Sequence, residues 1–125
     1  MPKVLIVDDS GVMRKIIQKN IKEAKLIVDE FVEAGDGKEA LGKLKGQTVD
    51  LILCDWNMPN MSGIDFVRTI KSTAEYSNIP IVMITTEGSE SMRQEAENAG
   101  VKGYITKPFT PQQLVSELGK FLMVG

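Results

Sequence analysis

Two acids, one further acid, a hydroxyl and a lysine each stand at the end of a short apolar run in this chain. Val4-Leu5-Ile6-Val7 leads into Asp8-Asp9, Leu51-Ile52-Leu53-Cys54 into Asp55, Ile81-Val82-Met83-Ile84 into Thr85, and Gly103-Tyr104-Ile105-Thr106 into Lys107-Pro108-Phe109. Carboxylates, a hydroxyl and an ammonium gathered at one place suit phosphoryl chemistry. A carboxylate beside a divalent cation can attack phosphorus and become an aspartyl phosphate, and Asp55 is the candidate nucleophile. The transfer needs in-line placement and neutralised equatorial oxygens, which a metal ion and one lysine supply; Lys107 is the candidate lysine, and Thr85 offers a hydroxyl to a phosphoryl oxygen. Three carboxylates within about 5 Å of one another repel by roughly 3 kcal/mol per pair at an effective dielectric of about 20. Asp8, Asp9 and Asp55 therefore call for a cation. Oxygen donors without a Cys or His cluster suit Mg2+, with Mn2+ as a substitute, and do not suit Zn2+. Singly, each residue has a plainer reading: a turn and helix cap for Asp8-Asp9-Ser10, a turn for Asp55, a strand end for Thr85, a solvated loop for Lys107. Their joint placement carries the argument.

The elements that must position them are legible in the same runs. Short stretches rich in Val and Ile, without polar alternation, read as strands covered on both faces, the habit of parallel sheets. In open α/β sheets, ligands bind outside the carboxyl ends of the strands. Between the runs the pattern is helical. Ser10 caps a helix carrying Met13, Ile16, Ile17, Ile21 and Ala24, with Arg14, Lys15, Gln18 and Lys19 on its other faces. Leu26-Ile27-Val28 and Phe31-Val32 read as a polar second strand at a sheet edge, closed by the turn Gly35-Asp36-Gly37. A short helix carries Ala40, Leu41 and Leu44. After Asp55 comes the loop 56–61, then a helix capped by Ser62 with Ile64, Val67 and Ile70. A helix with Met92, Ala96 and Ala99 stops at Gly100. The last helix opens with Thr110, Pro111 and Gln113 in capping-box spacing, with Leu114, Leu118, Phe121 and Leu122 as its inner face. A cis bond before Pro108 would aim Lys107 inward.

Composition narrows the function classes. The 125 residues are read as one domain, and a net charge of −2 from 15 basic and 17 acidic residues leaves no basic stripe for nucleic acid. The absence of histidine assigns any phosphohistidine to a partner. The single Cys54 lies inside an apolar run and reads as a buried, inert thiol. No signal-peptide pattern opens the chain and no run reaches the roughly 20 residues of a membrane span, so the expectation is a cytoplasmic protein without membrane insertion.

Asp8-Asp9, the segment Asp55-Trp56-Asn57-Met58-Pro59-Asn60-Met61-Ser62-Gly63, Thr85 and Lys107-Pro108-Phe109 together resemble the receiver domain of two-component response regulators, over the whole chain. Within that family the loop after Asp55 and the lack of an output domain are most similar to the stand-alone chemotaxis regulators. The resemblance implies an α/β fold, a flavodoxin-like doubly wound (βα)5 unit with a five-stranded parallel sheet in the order 2-1-3-4-5, the order known for flavodoxin and for chemotaxis receivers. It implies Asp55 as phosphoacceptor from a histidine kinase, Mg2+ held by Asp9, Asp55 and the backbone carbonyl of Asn57, with Asp8 acting through a bound water, and Thr85 and Lys107 on the phosphoryl group. It makes Tyr104 the aromatic switch. The face of the fourth helix, fifth strand and fifth helix, with Arg93, Lys102 and Tyr104, then binds a protein target in a phosphorylation-dependent way, the flagellar motor switch being the first expectation and a phosphate sink or relay role the alternative. The protein is expected to be a monomer. Thr86 and Gly88 depart from the family pattern, Thr86 being expected to narrow phosphoryl access. Asn57 and Glu87 flank the site as in quickly reset regulators, so a short phosphoryl lifetime is expected. Trp56 reads as a surface-loop aromatic whose fluorescence reports on the site.

Other classes fit less well. A haloacid-dehalogenase-type phosphatase also places an aspartate after a strand but wants a second acid where Asn57 stands. A nucleotide or flavin binder wants a Gly-rich or Ser/Thr-rich phosphate loop after the first strand, where Asp8-Asp9 would repel a phosphate. A constitutive module that has lost its switch would not need the full residue set.

Overall fold

The computed structural model describes residues 2–125. Strands and helices alternate through the chain: β1 (Lys3–Val7), α1 (Gly11–Glu23), β2 (Glu30–Ala34), α2 (Gly37–Leu44), β3 (Leu51–Cys54), α3 (Gly63–Lys71), β4 (Ile81–Thr85), α4 (Glu90–Ala99), β5 (Gly103–Thr106) and α5 (Pro111–Leu118). Every strand pairing is parallel, in the order β2-β1-β3-β4-β5. That is the doubly wound order the resemblance implies. No helix among the described residues is long and apolar enough to cross a membrane.

The unbroken apolar runs hide a division by face. Leu5, Val7, Ile52, Cys54 and Met83 point to one side, against Ala40, Leu44, Phe66, Val67, Ile70 and Ala96 of α2, α3 and α4. Val4, Ile6, Leu51, Leu53, Val82 and Ile84 point to the other, against Ile17 and Ile21 of α1 and Leu114 and Leu118 of α5. Successive strand residues alternate faces, and both faces are covered, so no polar residue is wanted at either parity. Each fully buried aliphatic or phenyl side chain contributes about 1.5–3 kcal/mol.

Register then builds the site. The chain leaves β1 for β2 on one side and returns to place β3 on the other, which makes the gap between β1 and β3 the point where the winding reverses. Val7 pairs with Cys54, so the next residues of the two strands, Asp8 and Asp55, emerge side by side. Thr85 pairs with Thr106, so Lys107 follows Thr85 at the same sheet edge.

Several local expectations hold. Ser10, Ser62 and Thr110 accept from the backbone N–H of Met13, Asp65 and Gln113, and Thr110 and Gln113 close the capping box. Gly100 ends α4 at φ 115, and the Lys107-Pro108 bond is cis. Others are corrected. The second strand covers only Glu30–Ala34; Leu26 instead forms an antiparallel bridge with Val124 after a turn through Lys25 at φ 61. Helix α5 stops at Leu118, and Phe121 and Leu122 belong to the turn that follows, where Leu122 is still buried against α5's face of the sheet. Trp56 is only 7 % exposed and sits in the core under α3, not on a loop surface. Arg14, expected on an outer face of α1, turns inward toward the strand ends.

Candidate functional site

At the carboxyl edge of the sheet, Asp8, Asp9 and Asp55 each present a carboxylate oxygen within 4.8 Å of the others. Asp8 is buried and held at several atoms. Its N–H donates to the Ala34 carbonyl at 3.0 Å, its Oδ1 accepts from the Ser10 N–H at 2.9 Å, and its carbonyl accepts from Arg14 Nη1 at 2.5 Å. Asp55 is almost buried, with its N–H on the Val7 carbonyl at 2.9 Å and its Oδ1 accepting from the Trp56 N–H at 2.7 Å. Asp9 is exposed to solvent.

Lys107 closes the cluster from β5. Its ammonium donates to Asp8 Oδ2 at 2.7 Å and to Asp55 Oδ2 at 3.2 Å, and its main-chain N–H donates to the Thr85 carbonyl at 2.8 Å. Burial pulls its pKa down, but the hydrogen bond it donates to Asp8 and the charges of Asp55 and Asp8 override that, and the net shift is upward. Lys107 is therefore a cation at neutral pH. Cys54, just behind Asp55, is inert: burial first, then the Asp55 and Asp8 charges, push its thiol far above the ordinary value. That agrees with its reading as a structural residue.

Asn57, Thr85, Glu87 and Tyr104 form a second, connected group. Thr85 is completely buried, and its Oγ1 accepts from the Glu87 N–H at 3.3 Å. Asn57 Nδ2 donates to Glu87 Oε1 at 2.5 Å, and the Tyr104 hydroxyl donates to the Glu87 carbonyl. Glu87 is thus held through its amide by Thr85, through its carbonyl by Tyr104 and through its side chain by Asn57. The sequence sets Asn57 and Glu87 beside the site; the link from Glu87 to Tyr104 arises from the tertiary fold. Tyr104 is 5 % exposed, with the Arg93 guanidinium 5.6 Å from its ring centroid. Beyond it lies a cavity of about 240 Å³ lined by Arg93, Tyr104, Ile105, Gln113, Ser116 and Glu117, between α4, β5 and α5.

The loop after Asp55 is fixed at both ends. Gly63 donates its N–H to the Trp56 carbonyl at 2.7 Å, and Asn60, at φ 67, donates through Nδ2 to Asp36 Oδ2 at 2.8 Å. Asp36 also caps α2 by accepting from the Glu39 N–H at 2.8 Å, so the turn residue of the sequence reading is a strut between loop and helix. Sequence reasoning missed Arg14 and Glu33 at the pocket's rim. A signal was present: Arg14 shares one helical face with Ile17, Gln18 and Ile21, all buried.

The donor set fits a hard divalent cation, being carboxylate oxygens clustered at the edge of the sheet with Asp9 open to water. Residues 4–119 match the response regulator receiver domain. The chain is 42 % identical over 124 residues to a chemotaxis protein CheY homolog of Campylobacter jejuni, covering 98 % of this chain and 94 % of that protein. It is 44 % identical over 117 residues to chemotaxis protein CheY1 of Helicobacter pylori, covering 93 % of each. Among solved structures it is similar to the chemotaxis protein CheY4 of Vibrio cholerae, with a TM-score of 0.85 and 38 % identity over 98 % of this chain and 99 % of that one.

Proposed function

The chain belongs to the response regulator receiver domain family, and from that premise we propose that it is a phosphorylation-activated chemotaxis switch that takes a phosphoryl group from a histidine kinase onto Asp55 and changes its affinity for a protein target, the flagellar motor switch. Receivers of this family bind Mg2+ at an acidic pocket and act as signalling switches rather than as conventional enzymes. The observation that carries the reading is Lys107 spanning Asp8 and Asp55 while Asp9 stays open to water.

Asp9, Asp55 and the Asn57 carbonyl would hold the ion, with Asp8 acting through a bound water. When bound, Mg2+ neutralises phosphoryl oxygens during transfer. A carboxylate oxygen of Asp55 attacks phosphorus, the phosphorus–nitrogen bond of the donor phosphohistidine breaks, and the leaving imidazole nitrogen takes a proton. Lys107 already lies 3.2 Å from Asp55 Oδ2, so it needs only a small shift to pair with the new phosphoryl group. Thr85 has its O–H available to donate to that group while its oxygen accepts from the Glu87 amide, and a shift of the hydroxyl toward the phosphoryl group would stretch or break that amide contact. The Glu87 carbonyl is the acceptor of the Tyr104 hydroxyl, so loss of the Thr85 contact reaches the face of α4, β5 and α5. A phosphoryl group adds about one to two negative charges, enough to bias such an element.

The test is Trp56 fluorescence during titration with Mg2+ and then a small-molecule phosphodonor. The intact chain should show a metal-dependent change and then a reversible donor-dependent one, and Asp55→Asn should lose the second. Metal binding without any donor response would reduce the protein to a constitutive contact module. Silence toward both would remove the site assignment.

Coupling to the target face gives a separate expectation. Allosteric coupling is typically about 5- to 150-fold in affinity, and Tyr104→Ala should bring the phosphorylated and unphosphorylated affinities for a motor-switch peptide to within about twofold of each other while Asp55 is still phosphorylated. Isothermal titration of both forms measures the ratio; an unchanged ratio would clear Tyr104 of the role.

A further inference from the structure

We propose that Arg14, locked by Glu33, is a positioning residue for the acidic pocket: its guanidinium fixes the peptide between Asp8 and Asp9 and thereby sets the pocket's affinity for a divalent cation. The inference rests on the metal-site reading above and assigns Arg14 and Glu33 a part in it.

The geometry is a relay of three contacts. Arg14 Nη1 donates to the Asp8 carbonyl at 2.5 Å, and Arg14 Nε donates to Glu33 Oε1 at 2.9 Å. The other oxygen of Glu33 accepts from Lys15 Nζ at 2.6 Å, so the carboxylate is gripped from two sides. The pair is shielded, with 21 % of the Arg14 side chain and 28 % of the Glu33 side chain exposed. The Lys15 hydrogen bond, with the help of Arg14 and against the cost of burial, lowers the Glu33 pKa to about 2, so the carboxylate is charged at neutral pH.

The peptide unit is planar, so a hydrogen bond that fixes the Asp8 carbonyl also fixes the plane carrying the Asp9 amide. Asp9 is the exposed member of the cluster and hangs from that plane. A charge-assisted bond to a main-chain oxygen is stronger than a neutral one. Arginine's rigid fork reaches Asp8 through Nη1 and Glu33 through Nε at once, whereas a lysine offers a single ammonium on a flexible stem.

Positioning and simple electrostatics predict opposite signs. A cation beside the pocket should weaken Mg2+ binding, so if Arg14 acted only by its charge, Arg14→Met would tighten it. If Arg14 acts by holding the Asp8-Asp9 peptide, Arg14→Met weakens Mg2+ binding by about tenfold or more, and Arg14→Lys, which keeps the charge, weakens it too. Glu33→Ala should weaken it in the same direction. The experiment is a Mg2+ titration of the full chain by Trp56 fluorescence without phosphodonor, alongside amide hydrogen exchange in the metal-free protein of Ser10, whose N–H is held by Asp8 Oδ1. Exchange at that amide should rise in Arg14→Lys at unchanged global stability, a readout independent of the metal. Affinities within twofold of the intact chain, or tighter binding in Arg14→Met, would overturn the inference; a wild-type chain blind to Mg2+ would instead overturn the metal site on which it rests. Should Arg14→Met fail to fold, Arg14→Lys and Glu33→Ala decide the outcome by the same criteria.

Discussion

Lys107→Met is expected to destabilise the metal-free protein by about 3 kcal/mol, because removing one partner of a buried ion pair leaves charge without compensation. The Lys107 side chain is 10 % exposed, and its ammonium sits between an Asp8 side chain that is 2 % exposed and an Asp55 side chain that is 11 % exposed. Methionine keeps the apolar stem and removes only the charge. The Asp8, Asp9 and Asp55 oxygens, all within 4.8 Å, are then left to repel one another. Added Mg2+ should recover most of the lost stability, and the variant should depend on the ion far more steeply than the intact chain does. Phosphotransfer should not recover: loss of a preorganised charge at a transition state costs on the order of 10²–10³ in rate. Urea unfolding in chelator and in Mg2+, set beside the rate of phosphorylation, separates the two roles. The pH dependence has a definite sign. Lys107's folded-state pKa is raised, so its contribution is fully present below the ordinary lysine value and fades as pH climbs through the raised one. The stability gap between intact chain and variant should therefore hold across neutral pH and narrow in strong alkali as the ammonium loses its proton. A variant as stable as the intact chain in chelator would mean that the carboxylates are relieved in another way.

What the sequence alone reveals follows a physical rule. Asp8, Asp55, Thr85 and Lys107 were legible because each directly follows a run buried on both faces, and parallel register leaves only one edge for such residues to share. Arg14 was misread because a charged residue on an amphipathic helix is normally solvated; only the Asp8 carbonyl and Glu33 repay its turning inward. Leu26-Ile27-Val28 has strand composition but no strand neighbour, since β2 pairs with β1 from Glu30 onward and the earlier residues meet the chain's own Val124. Trp56 was placed on the surface because its neighbours are loop-forming, whereas α3 folds back over it and buries it. In each miss a tertiary neighbour outweighed a local preference, at separations that run from six residues for Arg14 and Asp8 to 98 for Leu26 and Val124. The helix caps fared better because Ser10, Ser62 and Thr110 bond within their own first turns.

That return of α3 over Trp56 leads to the sharpest steric expectation in the molecule. A methyl group at position 63 would stand 2.0 Å from the Asp55 carbonyl oxygen and 2.8 Å from the Trp56 Cα, both main-chain atoms that cannot rotate away. Gly63→Ala should therefore cost at least about 3 kcal/mol, beyond ordinary overpacking, because relief requires the helix or the strand end to move. Against a typical total stability of about 5–15 kcal/mol, a large part of the population unfolds or shifts. The strand end in question carries the phosphoacceptor candidate. Even the folded fraction should phosphorylate at least about tenfold more slowly, since displacement by 1 Å can cost on the order of 10² in rate. Gly42→Ala supplies the control: that glycine is exposed inside α2 with nothing within 4 Å of the added carbon, and the change should stabilise by about 0.5–1 kcal/mol through helix propensity. Thermal unfolding of both variants, with phosphorylation rates corrected for folded fraction, tests the contrast. If Gly63→Ala matched Gly42→Ala in both measurements, α3 would have to pack more loosely on the Asp55 strand end than the 2.7 Å bond from Gly63 to Trp56 shows.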